Sequence, residues 1–437
     1  MMETVRDYDV VVAGGGPAGA TTAALLAQAG WNVLVLEKER FPRYSVGESL
    51  MPYCYFTLER LGLIEQLKRS AFPRKYSVQF VSTAGRVSQP FYFFQHLDHE
   101  ASTTWQVLRS EFDSLLLDNA GAKGATVREE VSVTRLIREA GSVTGVEAVA
   151  RDGERFRVLA PMTVDATGRA AVSAASNRWR IRDRALNRAA LWTYYRGALR
   201  DPGLDEGATT IAYLPEKGWF WYIPLPDDQV SVGAVAHKSY LFRDSRDLQN
   251  IFDREIQRNP WIRKHVAPGR QEGPVRLTGD YSYRSRYCAA SGLVLVGDAF
   301  AFLDPIFSSG VFLALKSGEM AADAIDDALK AGDVGADRFA RYGRDLTRGI
   351  EAMRRLVYAF YDQEFSFRRL LKRHMDLRGD LTDCLIGHLF REFDDLFGAI
   401  EELVELPPPL KHGHPLAGEG FRPPVRRAAT ATGSAIG

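Results

Sequence analysis

The stretch Tyr8 to Glu37, YDVVVAGGGPAGATTAALLAQAGWNVLVLE, constrains this chain more than any other. Val10 to Ala13 reads as a buried strand, and Gly14-Gly15-Gly16-Pro17-Ala18-Gly19 satisfies GxGxxG at the turn into a helix. That helix is rich in Ala from Ala18 to Ala29 and stops at Gly30, a residue suited to ending helices. A second strand, Val33 to Leu36, ends in Glu37. Gly14 makes the tight turn, Gly16 lets backbone approach a pyrophosphate, and Gly19 lets the helix pack on the strand. The helix N-terminus offers free N–H groups to phosphates, and Glu37, about 20 residues on, accepts ribose hydroxyls. Gly14, Gly16, Ala18, Gly19, Glu37 and the adjacent Lys38 are therefore candidate cofactor contacts. A glycine-rich turn alone is common. In this strand–turn–helix–strand–acid setting it marks a dinucleotide site, without saying which dinucleotide.

The rest of the chain narrows the choice. Lys38 to Pro52 reads as a loop, Tyr53 to Ala71 as a helical pattern, and Val78 through Phe94 as strand-like alternation. Trp105 to Leu117 opens a helix carrying Arg109, Phe112 and Asp113. Val127 to Val149 alternates around a turn at Gly141, and Phe156 to Val164 leads into Asp165-Ala166-Thr167-Gly168-Arg169. Gly292 to Asp298, GLVLVGD, is a strand that delivers an acid to a turn. The Arg-x-x-Phe-Asp helix, the DATGR turn and the GD strand end resemble, in this order, the FAD-dependent monooxygenase superfamily of p-hydroxybenzoate hydroxylase type. The resemblance implies FAD, with Arg109 at the cofactor and Asp298 on its ribityl chain.

The resulting fold expectation is α/β. A Rossmann-like FAD-binding domain would span 1–76, 100–176 and 280–330, and an inserted antiparallel β-sheet domain 77–99 and 177–279. A C-terminal helical region would cover 331–405, with helices over Val311 to Lys330, Ala336 to Phe367 and Leu377 to Leu403, and a loose tail 406–437. Among 437 residues, 56 Lys+Arg balance 55 Asp+Glu, which implies no nucleic-acid partner. Cys54, Cys288 and Cys384 match no zinc spacing, the histidines form no metal pattern, and no metal is expected. No basic n-region with an apolar stretch opens the chain, and no apolar run reaches the ~20 residues that span a bilayer. A cytoplasmic protein without an integral membrane segment is expected.

Two further motifs specify the chemistry. Trp219-Phe220-Trp221-Tyr222-Ile223-Pro224 fits WxWxIP, and Phe302, Pro305, Ser308 and Gly310 meet FxxPxxSxG. With both, the chain resembles a flavin-dependent halogenase of the phenol/pyrrole branch. Taken alone, alternating aromatics on a strand are ordinary core. The resemblance implies that Trp219 and Trp221 wall the substrate off from the flavin. It places chloride or bromide on backbone amides of Ser309 and Gly310, where a desolvated anion needs N–H donors. Pro305, Gly310 and Ser49, in the Gly47-Glu48-Ser49 loop, fall near FAD. Lys75, in FPRKYSVQF where the family carries FxxKxGxxF, would receive hypohalous acid; Ser77 replaces the usual glycine. A solvated charge beside Arg74 is the competing reading of Lys75. Phe307 stands where tryptophan halogenases carry a glutamate that assists proton removal, which favours a phenol or pyrrole, free or on an acyl or peptidyl carrier protein. A separate flavin reductase would supply FADH2.

Two alternatives remain open from the residues. One is an FAD-dependent hydroxylase or oxidase of the same fold using NAD(P)H directly, which would not need Lys75. The other is a flavin-binding subunit without turnover, against which Trp219, Trp221 and Lys75 argue.

Overall fold

Strand Val10–Ala13 has every residue buried and lies inside a six-stranded sheet, as an unbroken apolar run requires. The computed structural model describes residues 3–5, 7–279 and 282–417. The sheet order is Ala289–Ala290, Leu293–Leu295, Met162–Asp165, Val10–Ala13, Val33–Leu36, Thr126–Arg128, parallel except at the first pair. Helix Pro17–Gln28, with Pro at its first position, packs against helices Arg109–Ala122 and Ser309–Lys330. A four-stranded sheet, Glu3–Val5, Arg155–Leu159, Ser142–Ala150 and Val131–Glu139, meets the sheet through Ser142–Ala150.

A seven-stranded sheet runs Arg270–Gly279, Arg188–Arg196, Gln229–His237, Trp219–Pro224, Thr209–Tyr213, Ser77–Val81, Phe91–Tyr92. Its pairing is antiparallel except between Thr209–Tyr213 and Ser77–Val81. Side chains alternate across a strand, so the register sorts this sheet into two cores. Trp192, Gly233, Trp221, Ile211 and Phe80 lie in one row. Trp192, Trp221, Trp219 and Ile223 face the main core, whereas Phe220, Tyr222, Val232 and Ala234 face a second one. Helices Lys238–Leu241, Leu248–Arg258 and Pro260–Val266 cover that second face. They lie inside the block read as strands alone. Their caps were legible: Asp247 accepts the Asn250 N–H at 2.8 Å, and Asn259 precedes a Pro at the first helical position.

Several expected boundaries change. The pattern over Tyr53 to Ala71 is two helices, Cys54–Arg60 and Ile64–Lys68, parted at Gly62 with φ +77°. The alternation over Val78 to Phe94 is broken by a turn at Gly85, φ +76°. The last helices are Ala340–Tyr361, Phe367–Arg373, Arg378–Ile386 and Asp394–Glu401. Ser366 caps the second of these by accepting the Arg369 N–H, and Gly387 at φ +101° ends the third. The segment 406–417 is not loose. Gly413 N–H donates to Arg286 O at 3.0 Å, Leu416 N–H to Ala289 O at 2.8 Å, and Arg354 to Pro408 O at 2.7 Å. The remainder of the expected tail, 418–437, lies outside the described residues. Among the described residues no helix is long and apolar enough to cross a membrane.

Candidate active site

The glycine turn is closed to any side chain at two points. Gly14 has φ +108°, and a Cβ there would sit 2.3 Å from Ala166 O; one at Gly19 would sit 2.0 Å from Gly14 O. Gly16 differs, because a Cβ there would meet only the Arg43 guanidinium, at 3.2 Å. Glu37 is buried at the neighbouring strand end, where one carboxylate oxygen accepts the Gly15 N–H at 2.6 Å and the other the Glu39 N–H at 2.8 Å. Lys38 points outward and pairs with Glu39. Ala18 is buried against the turn at Gly297, whose own Cβ would fall 2.9 Å from that of Ala18.

Buried Asp113 organises two cations near this turn. It takes Arg109 through Nε at 2.7 Å and Nη2 at 2.9 Å, and Arg43 Nη1 at 3.0 Å. Two guanidiniums on one carboxylate leave an excess positive charge for phosphates, beside the N-terminus of helix Pro17–Gln28. The Asp298 carboxylate accepts no hydrogen bond among the described residues. Burial pushes its pKa up to about 6, against the lowering fields of Arg109 and Arg169. A backbone open to a pyrophosphate at Gly16, paired guanidiniums and an unpartnered acid for ribityl hydroxyls fit FAD.

Residues 44–50 join every other part of the site. Tyr44 accepts the Trp192 Nε1–H at 2.7 Å and meets Tyr194 OH at 3.1 Å. Val46 O accepts Arg109 Nη1 at 2.6 Å. Gly47, φ +112°, lies so close that a Cβ would fall 2.9 Å from Arg109 Nη1 and 3.5 Å from Val311 Cγ2. Glu48 is buried, accepts Tyr194 OH at 2.8 Å, and has its pKa raised by burial, against the opposing Tyr194 hydrogen bond and the field of Arg109. A cavity of about 300 Å³ opens here, lined by Tyr44, Glu48, Arg109, Tyr194 and Arg276.

Lys75 lies on the inner side of this loop and is 2% exposed. Its strand Arg74–Lys75 pairs with Thr104–Trp105, and Ser49 in turn bridges to Gln106. The Lys75 Nζ donates to Ser49 Oγ at 2.9 Å and to Leu50 O at 3.0 Å, and sits 5.4 Å above the Phe93 ring. Ser49 Oγ meets Thr209 Oγ1 at 2.7 Å, which also accepts Gln106 Nε2 at 2.8 Å. Lys75 has no carboxylate partner among the described residues, and burial lowers its pKa to about 7. The solvated-charge reading of Lys75 is therefore wrong for this fold. Ser49, expected beside the flavin, has its hydroxyl bonded to Lys75 and Thr209.

The register of the large sheet places Trp219 and Trp221 on the face toward the main core, their rings 6.1 Å apart. Gly233 makes room for the Trp221 indole, since a Cβ there would fall 2.1 Å from its Cζ2. Trp221 donates to Ser231 Oγ at 3.0 Å. Trp219 donates to Tyr361 OH at 2.9 Å, which donates to buried Asp304 at 2.9 Å. Pro305 follows this acid and opens the 3-10 turn Pro305–Phe307. Phe307 is buried against Phe360 and Phe367. Ser308, φ +55°, then turns the chain into helix Ser309–Lys330, so Ser309 and Gly310 occupy its first turn, where backbone N–H groups lack helical acceptors. A Cβ at Gly310 would touch only Phe302, at 3.7 Å.

Arg43, Tyr44, Tyr194, Trp192, Gln106 and Thr209 went unread in the sequence, and Glu48 was read only as part of its loop. Their contacts are long-range, and only the acid in the Gly47-Glu48-Ser49 run carried a local hint.

Comparisons with known proteins identify the family and the fold. The family model for tryptophan halogenase matches residues 9–101 and 82–397. The 1H-pyrrole-2-carbonyl peptidyl-carrier-protein chlorinase of Pseudomonas fluorescens is 32% identical over 409 residues, 88% of this chain and 90% of the chlorinase. The tryptophan 2-halogenase of Chondromyces crocatus is 36% identical over 339 residues, 76% of this chain but 63% of that longer protein. The solved structure of the flavin-dependent brominase Bmp2 superposes with a TM-score of 0.82 at 28% identity, covering 91% of this chain and 99% of Bmp2. The chain belongs to the tryptophan halogenase family of flavin-dependent halogenases.

Proposed function

We propose that this enzyme halogenates an electron-rich aromatic, a pyrrole or phenol, presented on a carrier protein, with Lys75 delivering the halogen. The observation that carries the reading is the buried Lys75 amine held by two neutral oxygens. Reduced FAD, when bound, supplies with O2 the two-electron oxidation of chloride or bromide to hypohalous acid. A separate flavin reductase provides the reduced cofactor in the cytoplasm. Arg109, Arg43 and the amides after Gly16 hold its phosphates, Glu37 its ribose, and Asp298 its ribityl chain. Amides of Ser309 and Gly310 hold the halide at the helix N-terminus.

Two Lys75 N–H bonds point at Ser49 Oγ and Leu50 O, which leaves the third position on nitrogen for the oxidant. Because burial lowers the amine pKa to about 7, that position can carry either a proton or a lone pair near neutral pH. As N–H it donates to the hypohalous oxygen and polarises the O–halogen bond. As a lone pair it takes the halogen, releases water and passes the halogen on. The ring carbon gains the halogen and returns a proton to the amine or water. Trp219 and Trp221 keep the ring away from the flavin side. With Phe307 packed among aromatics, no carboxylate at that position assists proton loss, which suits rings already activated by nitrogen or oxygen. The carrier assignment is supported by the named activity of the Pseudomonas fluorescens relative and by its coverage of nearly both whole chains.

Mass spectrometry of pyrrole-2-carbonyl and phenol substrates, free and carrier-loaded, with FAD, a reductase, NADH, O2 and halide, tests this. A halogenated product from wild type and none from Lys75→Ala is expected. A product gaining oxygen without halogen would instead identify a hydroxylase.

A further inference from the structure

Helix Phe367–Arg373 and the turn after it, FRRLLKRHMDLR, carry five cations, Arg368, Arg369, Lys372, Arg373 and Arg378, against one acid, Asp376. Leu370 is buried, and Phe367 and Leu371 pack on the main core, so the cations face solvent. Of these five, only Arg369 has an acidic partner among the described residues, Glu364 at 3.7 Å, while His374 in the same stretch meets Glu402 at 3.2 Å. Arg368, Lys372, Arg373 and Arg378 make no ion pair among the described residues. Met375 stands between them, 64% exposed.

The other basic helix, Ala340–Tyr361, behaves differently. Its Arg341 pairs with Asp345, Arg348 with Glu392, Arg354 with Glu351 and Arg355 with Glu401. Of the two C-terminal basic helices, it is 368–378 that carries most of the unpaired positive charge.

Its location gives this charge a task. Phe367, on the underside, packs 6.3 Å from Phe307, in the turn before Ser309 and Gly310. At the other end the field of Arg378, after burial, lowers the pKa of His96. His96 stacks on Phe91 at 4.5 Å, Phe91 meets Phe93 at 6.2 Å, and Phe93 underlies the Lys75 amine. The patch thus sits between two aromatic tracks, one leading to Lys75 and one to the proposed halide amides.

We infer that the Arg368–Arg378 surface is the docking site of a carrier protein that brings the aromatic on its phosphopantetheine arm. The inference rests on the carrier reading of the site. The arm is joined through a phosphodiester, ionised at every working pH, for which Arg and Lys are the matching side chains. Met375 supplies an apolar anchor amid the charges, as a small interface core within a polar rim requires. A free small aromatic has no use for such a surface.

The test compares the wild type with the triple variant Arg368→Glu, Lys372→Glu, Arg378→Glu on two substrates: pyrrole-2-carbonyl carrier protein and the pyrrole-2-carbonyl pantetheine thioester, which lacks the phosphate and the carrier. The expected result is a KM for the carrier substrate raised about tenfold or more, with kcat little changed and thioester kinetics unaffected. Wild-type KM should rise with salt and the variant's much less. Retained FAD affinity and melting temperature show that the variant is folded. A variant with wild-type KM and salt response on the carrier substrate overturns the docking site while leaving the carrier reading intact. A wild type that halogenates the thioester but never the carrier substrate overturns both.

Discussion

Two buried cations in this enzyme are handled in opposite ways. Arg109 is held bidentately by buried Asp113, with Arg43 on the same carboxylate. Lys75 is as deeply buried but touches only a hydroxyl and a carbonyl. An arginine stays charged in proteins, and a paired one is a fixed electrostatic support for phosphates. A lysine desolvated without a counter-charge loses its preference for the proton, which places its pKa near 7. The first arrangement suits holding a charge in place; the second suits exchanging a proton. Residues 44–50 touch both, through Val46 to Arg109 and through Ser49 and Leu50 to Lys75.

The largest effect that can break this contrast is removal of the amine. Lys75→Ala should lower halogenated product by about 10³-fold while FAD titration stays as in wild type. Loss of FAD binding in that variant would show that the two cations form one site. At the cofactor end, Gly14→Ala meets Ala166 O at 2.3 Å with φ +108°. It should cost about 1–3 kcal/mol of stability, read as a lower melting temperature with weakened FAD binding, and leave the Lys75 strand in place. Ser49→Ala removes one hydrogen bond from the amine, and turnover should fall about five- to tenfold at unchanged FAD affinity. An equal loss of both would place Ser49 with the cofactor instead.

A separate effect, on stability and not on turnover, is the dependence on pH. The Lys75 pKa is about 7 in the folded chain against 10.5 for a free lysine. The unfolded chain therefore binds the extra proton between those values, and unfolding free energy should rise with pH across that window. Below about pH 7 both states are protonated, the slope vanishes and the full cost of burying the charged amine remains; above 10.5 both are neutral and that cost is gone. Chemical denaturation at several pH values should show the rise in wild type and its loss in Lys75→Met, with Arg109 contributing nothing over the same range.

The dinucleotide-type fold around the cofactor residues expected from the sequence was legible because its signals are local. The turn, its helix, Glu37 and the Asp298 strand end are each written within a few residues, and period-2 alternation marked the tryptophan strand. Lys75 was found by motif, but its burial was not readable beside Arg74, because adjacent strand residues point to opposite faces and only one meets the core. The partners of the Ser49 hydroxyl, Lys75 and Thr209, were not legible because its run alone does not reveal long-range pairing. The helix breaks at Gly62 and Gly387 and the pinned segment 406–417 escaped for related reasons. A glycine within a periodic pattern does not announce a left-handed turn, and a Pro-rich stretch does not announce the strand edge that holds it.

By itself the sequence determined the nucleotide-binding unit, the strand that carries Trp219 and Trp221, and the turn before Ser309, since backbone conformation there follows from glycine, proline and alternation over short windows. Only the tertiary structure decided that Lys75 would be buried without a counter-charge, that Glu48 and Tyr194 would meet in the 44–50 loop, and that most of the basic side chains on 340–361 would find acids while most of those on 368–378 would not. Those properties come from burial and long-range pairing. Both depend on which distant segments share a low-dielectric interior, and no local window of residues contains that information.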